Sequence, residues 1–223
     1  MSIIYTFWYI IDIIYRSVHN VKHEFKKIGK TMKAGRKRTF DKTEALDKAM
    51  RVFWLNGYSG TSVNDITEAL GINKPSLYAA FGNKEQLFAT ALDHYMSQYG
   101  APLLERLTQP ADAPLTVRMR AYLLGIVNLV SNKESPKGCL FVRSSCESGS
   151  AAMPKDVSIS LHDMGLIAEQ ALTEFLEAEQ KQGQLLPSAN PRDIAGYLLS
   201  VMYGLSVLAR RGKIRKELDK IVE

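Results

Sequence analysis

The residues best suited to chemistry cluster between positions 73 and 84. Lys74, Ser76, Tyr78 and Ala79 fall on one side of a short helical pattern whose other side carries Leu77 and Phe81. A small, polar, outward face backed by two apolar anchors is what a helix needs to lie in a DNA major groove. Lys84 follows Asn83 in an Asn-Lys-Glu-Gln capping pattern. Its ammonium therefore stands at a helix start, where free backbone amides and the helix dipole already favour an anion. Upstream, Arg36, Lys37 and Arg38 form a basic arm that suits either a minor groove or a solvated tail. The other reactive groups are Cys139 and Cys146. On one helix they stand two turns, about 10 Å, apart, too far for a disulfide without unwinding. Cys139 follows Gly138 near a helix start, a position that lowers a thiol pKa. Two readings stand beside each other here, a redox-sensitive thiol and a small buried side chain. His19, His23, His94 and His162 are scattered, and no metal or cofactor site is expected.

Helices must position these groups. Asp41, with Glu44 three residues on, starts the first, and its buried stripe is Leu46, Ala49, Met50, Phe53 and Trp54. Asn56-Gly57 ends it. The second starts at Thr61 or Ser62, buries Val63, Ile66 and Leu70, and stops at Gly71. Asn73 caps the third, with Pro75 in its first turn, where a missing amide hydrogen costs little. The fourth opens at Asn83 and runs through Leu87, Ala91, Leu92, Tyr95 and Tyr99. Further helices are expected over 114–132, 140–149, 154–182, 190–211 and 213–222, with breaks near Pro102, Pro110 and Pro136 and a linker over 108–114. No run alternates like a strand, so the fold class is all-α.

Short helix, glycine turn, short helix is helix-turn-helix organisation. Residues 40–88, with Phe53-Trp54-Leu55-Asn56-Gly57-Tyr58, Thr61-Ser62-Val63 and Leu70-Gly71-Ile72-Asn73-Lys74-Pro75-Ser76-Leu77-Tyr78, resemble the DNA-binding domain of the TetR/AcrR family. The rest resembles the family in length and helical layout alone. The resemblance implies a ligand-responsive repressor that binds a pseudo-palindromic operator in double-stranded DNA as a homodimer. It also implies roles: Thr61 and Ser62 on phosphate; Lys74, Pro75 and Ser76 near base edges; Tyr78 on a phosphate or a thymine methyl; Lys84 on phosphate. The Gly-Cys-Leu turn at Cys139 also occurs in that family without redox function. The expected layout is an extension over 1–31, a three-helix DNA-binding domain over 32–88, and a helical effector-binding and dimerisation domain over 89–223.

Beyond Asn83 no catalytic motif stands out, and apolar helix faces with few charges suggest a pocket for a small-molecule effector. Its expected lining is Tyr95, Tyr99, Leu123, Val127, Cys139, Phe141, Met164 and Ile167. Ile194, Tyr197, Leu198, Val201, Leu205 and Leu208 surround much of one helix, and Gly196 and Gly204 permit close approach. A helix apolar nearly all round is buried on more than one side. Residues 190–222 are therefore the expected dimer interface, through Ile194, Tyr197, Val201, Gly204, Leu205 and Leu208.

The formal charge of +6 fits a polyanionic partner, nucleic acid or an anionic membrane surface. Two cysteines make no disulfide framework, so a reducing cytoplasm is the expected compartment. Residues 3–14 are strongly apolar, but a spanning helix needs about 20 such residues and Asp12 interrupts the run. The segment reads as an interfacial stretch, an extra helix or the product of an upstream start codon; the last is preferred, with Met32 as the start, and no membrane partner is expected. A membrane-associated module anchored by 3–14, and a helical enzyme using Cys139, are the alternatives to DNA binding.

Overall fold

Local capping sets out the first half of the chain. In the computed structural model, which describes residues 40–223, the Asp41 carboxylate accepts the Thr43 and Glu44 amides at 2.7 and 3.0 Å and starts α1, Lys42–Asn56. Glu44 makes no reciprocal cap; it pairs with Lys48 at 2.8 Å. Ser62, not Thr61, caps α2, Val63–Leu70, in a reciprocal box with Asp65. Gly71 ends α2 with φ +66, a left-handed turn that costs glycine nothing. Asn73 caps α3, Lys74–Phe81, and Asn83 with Gln86 boxes the start of α4, Lys84–Tyr95. The segment 3–14, Met32, and Arg36, Lys37 and Arg38 lie outside the described residues.

The fourth helix does not break at Pro102 as its sequence predicts. α4 passes into a π-helical turn, Met96–Gly100, and continues as α5, Ala101–Thr108. Proline removes one amide donor and crowds the preceding carbonyls; a wider turn just before it accommodates both, and the helical column carries on. Residues 109–114 then form the expected linker. α6, Leu115–Ser131, α7, Leu140–Glu147, α8, Lys155–Lys181, α9, Pro191–Arg210, and α10, Arg215–Val222, complete the chain, and no strand occurs among the described residues.

Two cores form. The first gathers Phe53, Trp54, Tyr58 and Phe88, with Phe88 edge-on to Phe53 at 5.1 Å and to Tyr58 at 5.0 Å. Leu140 of α7 and Val157 and Leu161 of α8 belong to it, so the helix-turn-helix head is fused to the helices behind it. The expected boundary after residue 88 falls inside α4. The second core is made by Tyr122, Ile126 and Val130 of α6, Leu172, Phe175 and Leu176 of α8, Leu198 and Leu205 of α9, and Leu218 of α10. Each of these large side chains contributes roughly 1.5–3 kcal/mol by leaving water.

Candidate nucleic-acid interface and effector cavity

α3 is short and presents one side outward. Lys74, Pro75, Tyr78 and Ala79 are exposed and Ser76 is half-buried, while Leu77 and Phe81 enter the first core. Tyr78 is 47% exposed, so its phenol is free to meet a partner. Ser62 is exposed too. Its oxygen accepts the Asp65 amide at 3.1 Å, which leaves its O–H proton to donate. Thr61 departs from the expectation of a phosphate contact. It is 1% exposed and its hydroxyl donates to the Gly57 carbonyl at 2.6 Å. Two adjacent residues share the right chemistry for a cap, and only one of them takes the exposed position.

Lys84 occupies the first turn of α4, with its ammonium 4.1 Å from the centre of the Tyr58 ring. Partial burial lowers its pKa, opposed by Glu85, Glu147 and Asp65. The Tyr58 hydroxyl donates to Glu85 at 3.1 Å, which fixes the ring on which Lys84 rests. The ammonium is thus held at the helix start by a cation–π contact, in line with the amide-rich end of α4.

Behind the head, α4 to α9 enclose a cavity of about 190 Å³. Tyr95, Cys139, Phe141, Met164 and Ile167 line it as expected. Tyr99, Leu123 and Val127 do not. Tyr99 packs against Trp54 and Tyr95 at 5.2 Å in the first core, and Leu123 and Val127 face the second. On α6 the wall is made by Tyr122, Ile126, Leu129 and Val130; one residue of helical phase, about 100°, separates the two faces. Leu199, Met202 and Tyr203 of α9, a helix expected at a subunit interface, also line the cavity.

The cavity has two polar places. At one, Glu179 receives both terminal nitrogens of Arg118, with Nη1 at 3.0 Å and Nη2 closer. Arg118 also donates to the Leu107 and Ala113 carbonyls at 2.8 and 2.9 Å. Both residues are buried, at 3% and 1% exposure. Sequence reading missed this pair, yet a signal exists: each charge sits on an apolar stripe, Arg118 between Leu115 and Tyr122, Glu179 after Leu172 and Phe175. At the other place, the Cys139 thiol stands among Tyr95, Tyr122 and Tyr203. Burial pushes the thiol pKa up, and Tyr95 and the amides of Val142 and Phe141 offset it only in part. The lowering expected from its place at a helix start is therefore outweighed by loss of water. Cys139 and Cys146 are both free thiols, with Cys146 exposed.

α7 and the turn before it join cavity to head. Trp54 Nε1 donates to the Gly138 carbonyl at 3.1 Å, the Cys139 amide donates to Ser206 Oγ at 2.9 Å, and the Trp54 ring stands edge-on to Tyr95 at 4.8 Å. At the far end of α7, Arg143 donates to the Asn56 carbonyl at 2.6 Å and Glu147 accepts the Ser59 amide at 2.8 Å. The same eight-residue helix thus begins in the cavity wall and ends on the turn that leads to Ser62.

On the outside, α9 divides differently from its expected interface. Leu205 is 1% exposed and lies in the second core, and Ile194, Val201 and Leu208 are partly buried against that core. The inner side of an all-apolar helix is here the protomer's own interior. Tyr197 and Val207, 69% and 43% exposed, face outward, and a side chain added at Gly196 or Gly204 would meet nothing. Leu166 of α8 is exposed as well. α10, expected within the interface, packs on α6 through Leu218, and Arg215 donates to Asn128 at 2.9 Å. No described helix is long and apolar enough to cross a membrane.

Comparison with known proteins agrees with this arrangement. Residues 45–91 match the model of the tetR family of bacterial regulatory proteins. The chain is 34% identical to the transcriptional repressor ComR of Escherichia coli K12, over 84% of this chain and 88% of that protein. It is 30% identical to the regulator YezE of Bacillus subtilis, over 84% and 93%. Among solved structures, a cysteine-substituted form of the TetR family regulator CifR, complexed with a 26-base-pair operator, superposes with a TM-score of 0.76 at 34% identity, over 84% of this chain and 96% of that one. With its capped helix-turn-helix head and helical body, this chain belongs to the tetR family of helix-turn-helix transcriptional regulators.

Proposed function

We propose that this protein is a ligand-responsive transcriptional repressor that binds a palindromic operator as a homodimer, working in the cytoplasm and catalysing no reaction. The observation that carries the reading is the outer side of α3, where Lys74, Pro75 and Tyr78 stand exposed, together with the exposed Ser62 and the Lys84 ammonium at the start of α4. In our reading Lys74, Pro75 and Ser76 approach base edges, Tyr78 meets a phosphate or a thymine methyl, and Ser62 and Lys84 hold phosphates. The operator complex of the similar CifR supports a DNA partner. The outward Tyr197, Gly204 and Val207 of α9, with Leu166 of α8, supply a self-complementary apolar face for a second copy. A dimer sets two reading helices about one groove repeat, roughly 34 Å, apart. The cavity is the effector site. A ligand that favours a dimer of different head spacing weakens operator binding, and couplings of this kind run to about 1–3 kcal/mol.

Anisotropy titration of a labelled duplex from the region upstream of the gene, at several salt concentrations and against a scrambled duplex, tests this. Tight binding to the upstream duplex alone is expected. Lys84→Ala weakens it and lowers the salt slope by about 1. Equal, salt-sensitive binding to both duplexes, or an unchanged slope in the variant, counts against the reading.

A further inference from the structure

The polar corner of the cavity contains an unpartnered group. Tyr95 is 1% exposed and lines the cavity; its hydroxyl lies beside the Cys139 thiol and the Leu140 amide but makes no hydrogen bond of good geometry among the described residues. A hydroxyl buried in this way loses water and gains only a weak thiol neighbour in return, so its presence in an apolar wall suits a partner from outside. We propose that the cavity binds a small, uncharged, mainly apolar molecule carrying one acceptor oxygen, and that this oxygen takes the Tyr95 hydroxyl proton beside Cys139. The assignment rests on reading the cavity as the effector site.

Four observations define the ligand. Its oxygen is an acceptor because the corner offers protons: burial keeps Tyr95, Tyr122 and Cys139 in their protonated forms. Tyr122 already donates to Met202 Sδ at 3.2 Å and Tyr203 is only partly buried, so Tyr95 is the fully buried donor left to the ligand. The ligand is neutral because Glu179 is the charged residue in the lining, and both its oxygens are held by Arg118. It is small because about 190 Å³ only slightly exceeds the roughly 150 Å³ of a cavity that admits benzene. Its polar end is also the end nearest the head. Tyr95 touches Trp54, Trp54 holds Gly138, and Cys139 follows at the start of α7, whose other end holds Asn56 and Ser59. A ligand seated on Tyr95 therefore bears on the piece of wall whose other end holds the turn leading to Ser62.

Three probes of similar size test the assignment: acetophenone, its hydrocarbon counterpart cumene, and benzoate. Binding is followed by methyl NMR of protein labelled at methionine, since Met96, Met164 and Met202 line the cavity. Acetophenone is expected to bind the wild type about fivefold more tightly than cumene, the usual worth of one neutral hydrogen bond. Tyr95→Phe should abolish that preference and leave cumene unaffected, and benzoate should bind at least about tenfold more weakly than acetophenone. Acetophenone no better than cumene on the wild type, a preference that survives Tyr95→Phe, benzoate binding as well as acetophenone, or no probe moving the methyl signals would each overturn the proposal. Should the variant fail to fold, the ranking of the three probes on the wild type decides alone. Operator binding of the same ligand-free samples is measured separately. Its failure would sink the regulator reading without altering the methyl shifts, and a wrong probe ranking would sink the ligand assignment without touching DNA binding.

Discussion

In the head, every helix from α1 to α4 starts on a side-chain cap: Asp41, Ser62, Asn73 and Asn83 each accept a backbone amide two or three residues ahead. In the walls of the cavity, α5, α6, α7 and α8 start with no such bond, and only α9, capped by Asn190 on the Arg192 amide, has one. The head is thus ordered by its local sequence as well as by its core, and it presents one rigid face to a rigid partner. The cavity helices are held by contacts between elements, chiefly the apolar second core and the Arg118–Glu179 pair. Tertiary contacts allow helices to shift against one another without melting, which suits a region that must admit a ligand and pass on its presence.

The largest test of that contrast removes the tertiary tie. Glu179→Ala leaves the Arg118 guanidinium buried with only the Leu107 and Ala113 carbonyls for company. Stranding a buried charge in this way should cost about 3–5 kcal/mol, read as a fall in the urea midpoint. Because the head has its own caps, its near-ultraviolet signal should persist to higher urea than signals from the cavity helices. A single coincident transition shifted by less than about 1 kcal/mol would mean that the pair is not what holds the cavity walls.

A smaller change probes the other side. Asn83→Ala removes the cap on α4 and should cost about 1 kcal/mol. The loss is local, so amide exchange should quicken in the first turn of α4 while the second core keeps its protection. The same change frays the helix end that aims Lys84, so operator affinity should fall with stability. Uniform exchange across both cores would show that the head is not locally specified and would remove the contrast.

The same contrast explains what was legible in the sequence. Caps and glycine stops act over three or four residues, so the helix starts at Asp41, Asn73 and Asn83 and the stop at Gly71 can be read directly. The choice between Thr61 and Ser62 cannot, because both have the required hydroxyl and the decision depends on which one the Gly57 carbonyl captures. The cavity depends on helical phase relative to several distant helices. Periodicity marked α6 as apolar but did not separate Tyr122 and Ile126, which line the cavity, from Leu123 and Val127, which do not. On α9 it found apolar residues all round and assigned them to a partner, when Leu205 belongs to the protomer and Tyr197 does not. Cys139 can be placed near a pocket from the sequence, but its surroundings, which decide its chemistry, come from α4, α6 and α9.

The two cysteines carry the comparison down to single atoms and leave stability almost untouched. Cys146 is exposed on α7, whereas Cys139 lies at the start of the same helix in the cavity wall, its pKa raised by burial above the ordinary 9.0. Only the thiolate is nucleophilic, so at pH 8 iodoacetamide should modify Cys146 at least about tenfold faster, as followed by intact mass and peptide mapping. Raising the pH should quicken Cys139 only as it approaches that raised pKa. The stability linked to Cys139 has the matching sign: it is fully present below pH 9.0 and is lost as pH rises through the folded-state value, because the unfolded thiol ionises first. Acetophenone should slow modification of Cys139 further and leave Cys146 unchanged, since one thiol shares the cavity with the ligand and the other does not. Equal rates at the two thiols would mean that the wall around Cys139 opens to solvent faster than the reagent reacts, and the cavity would then be a transient gap and not a formed site.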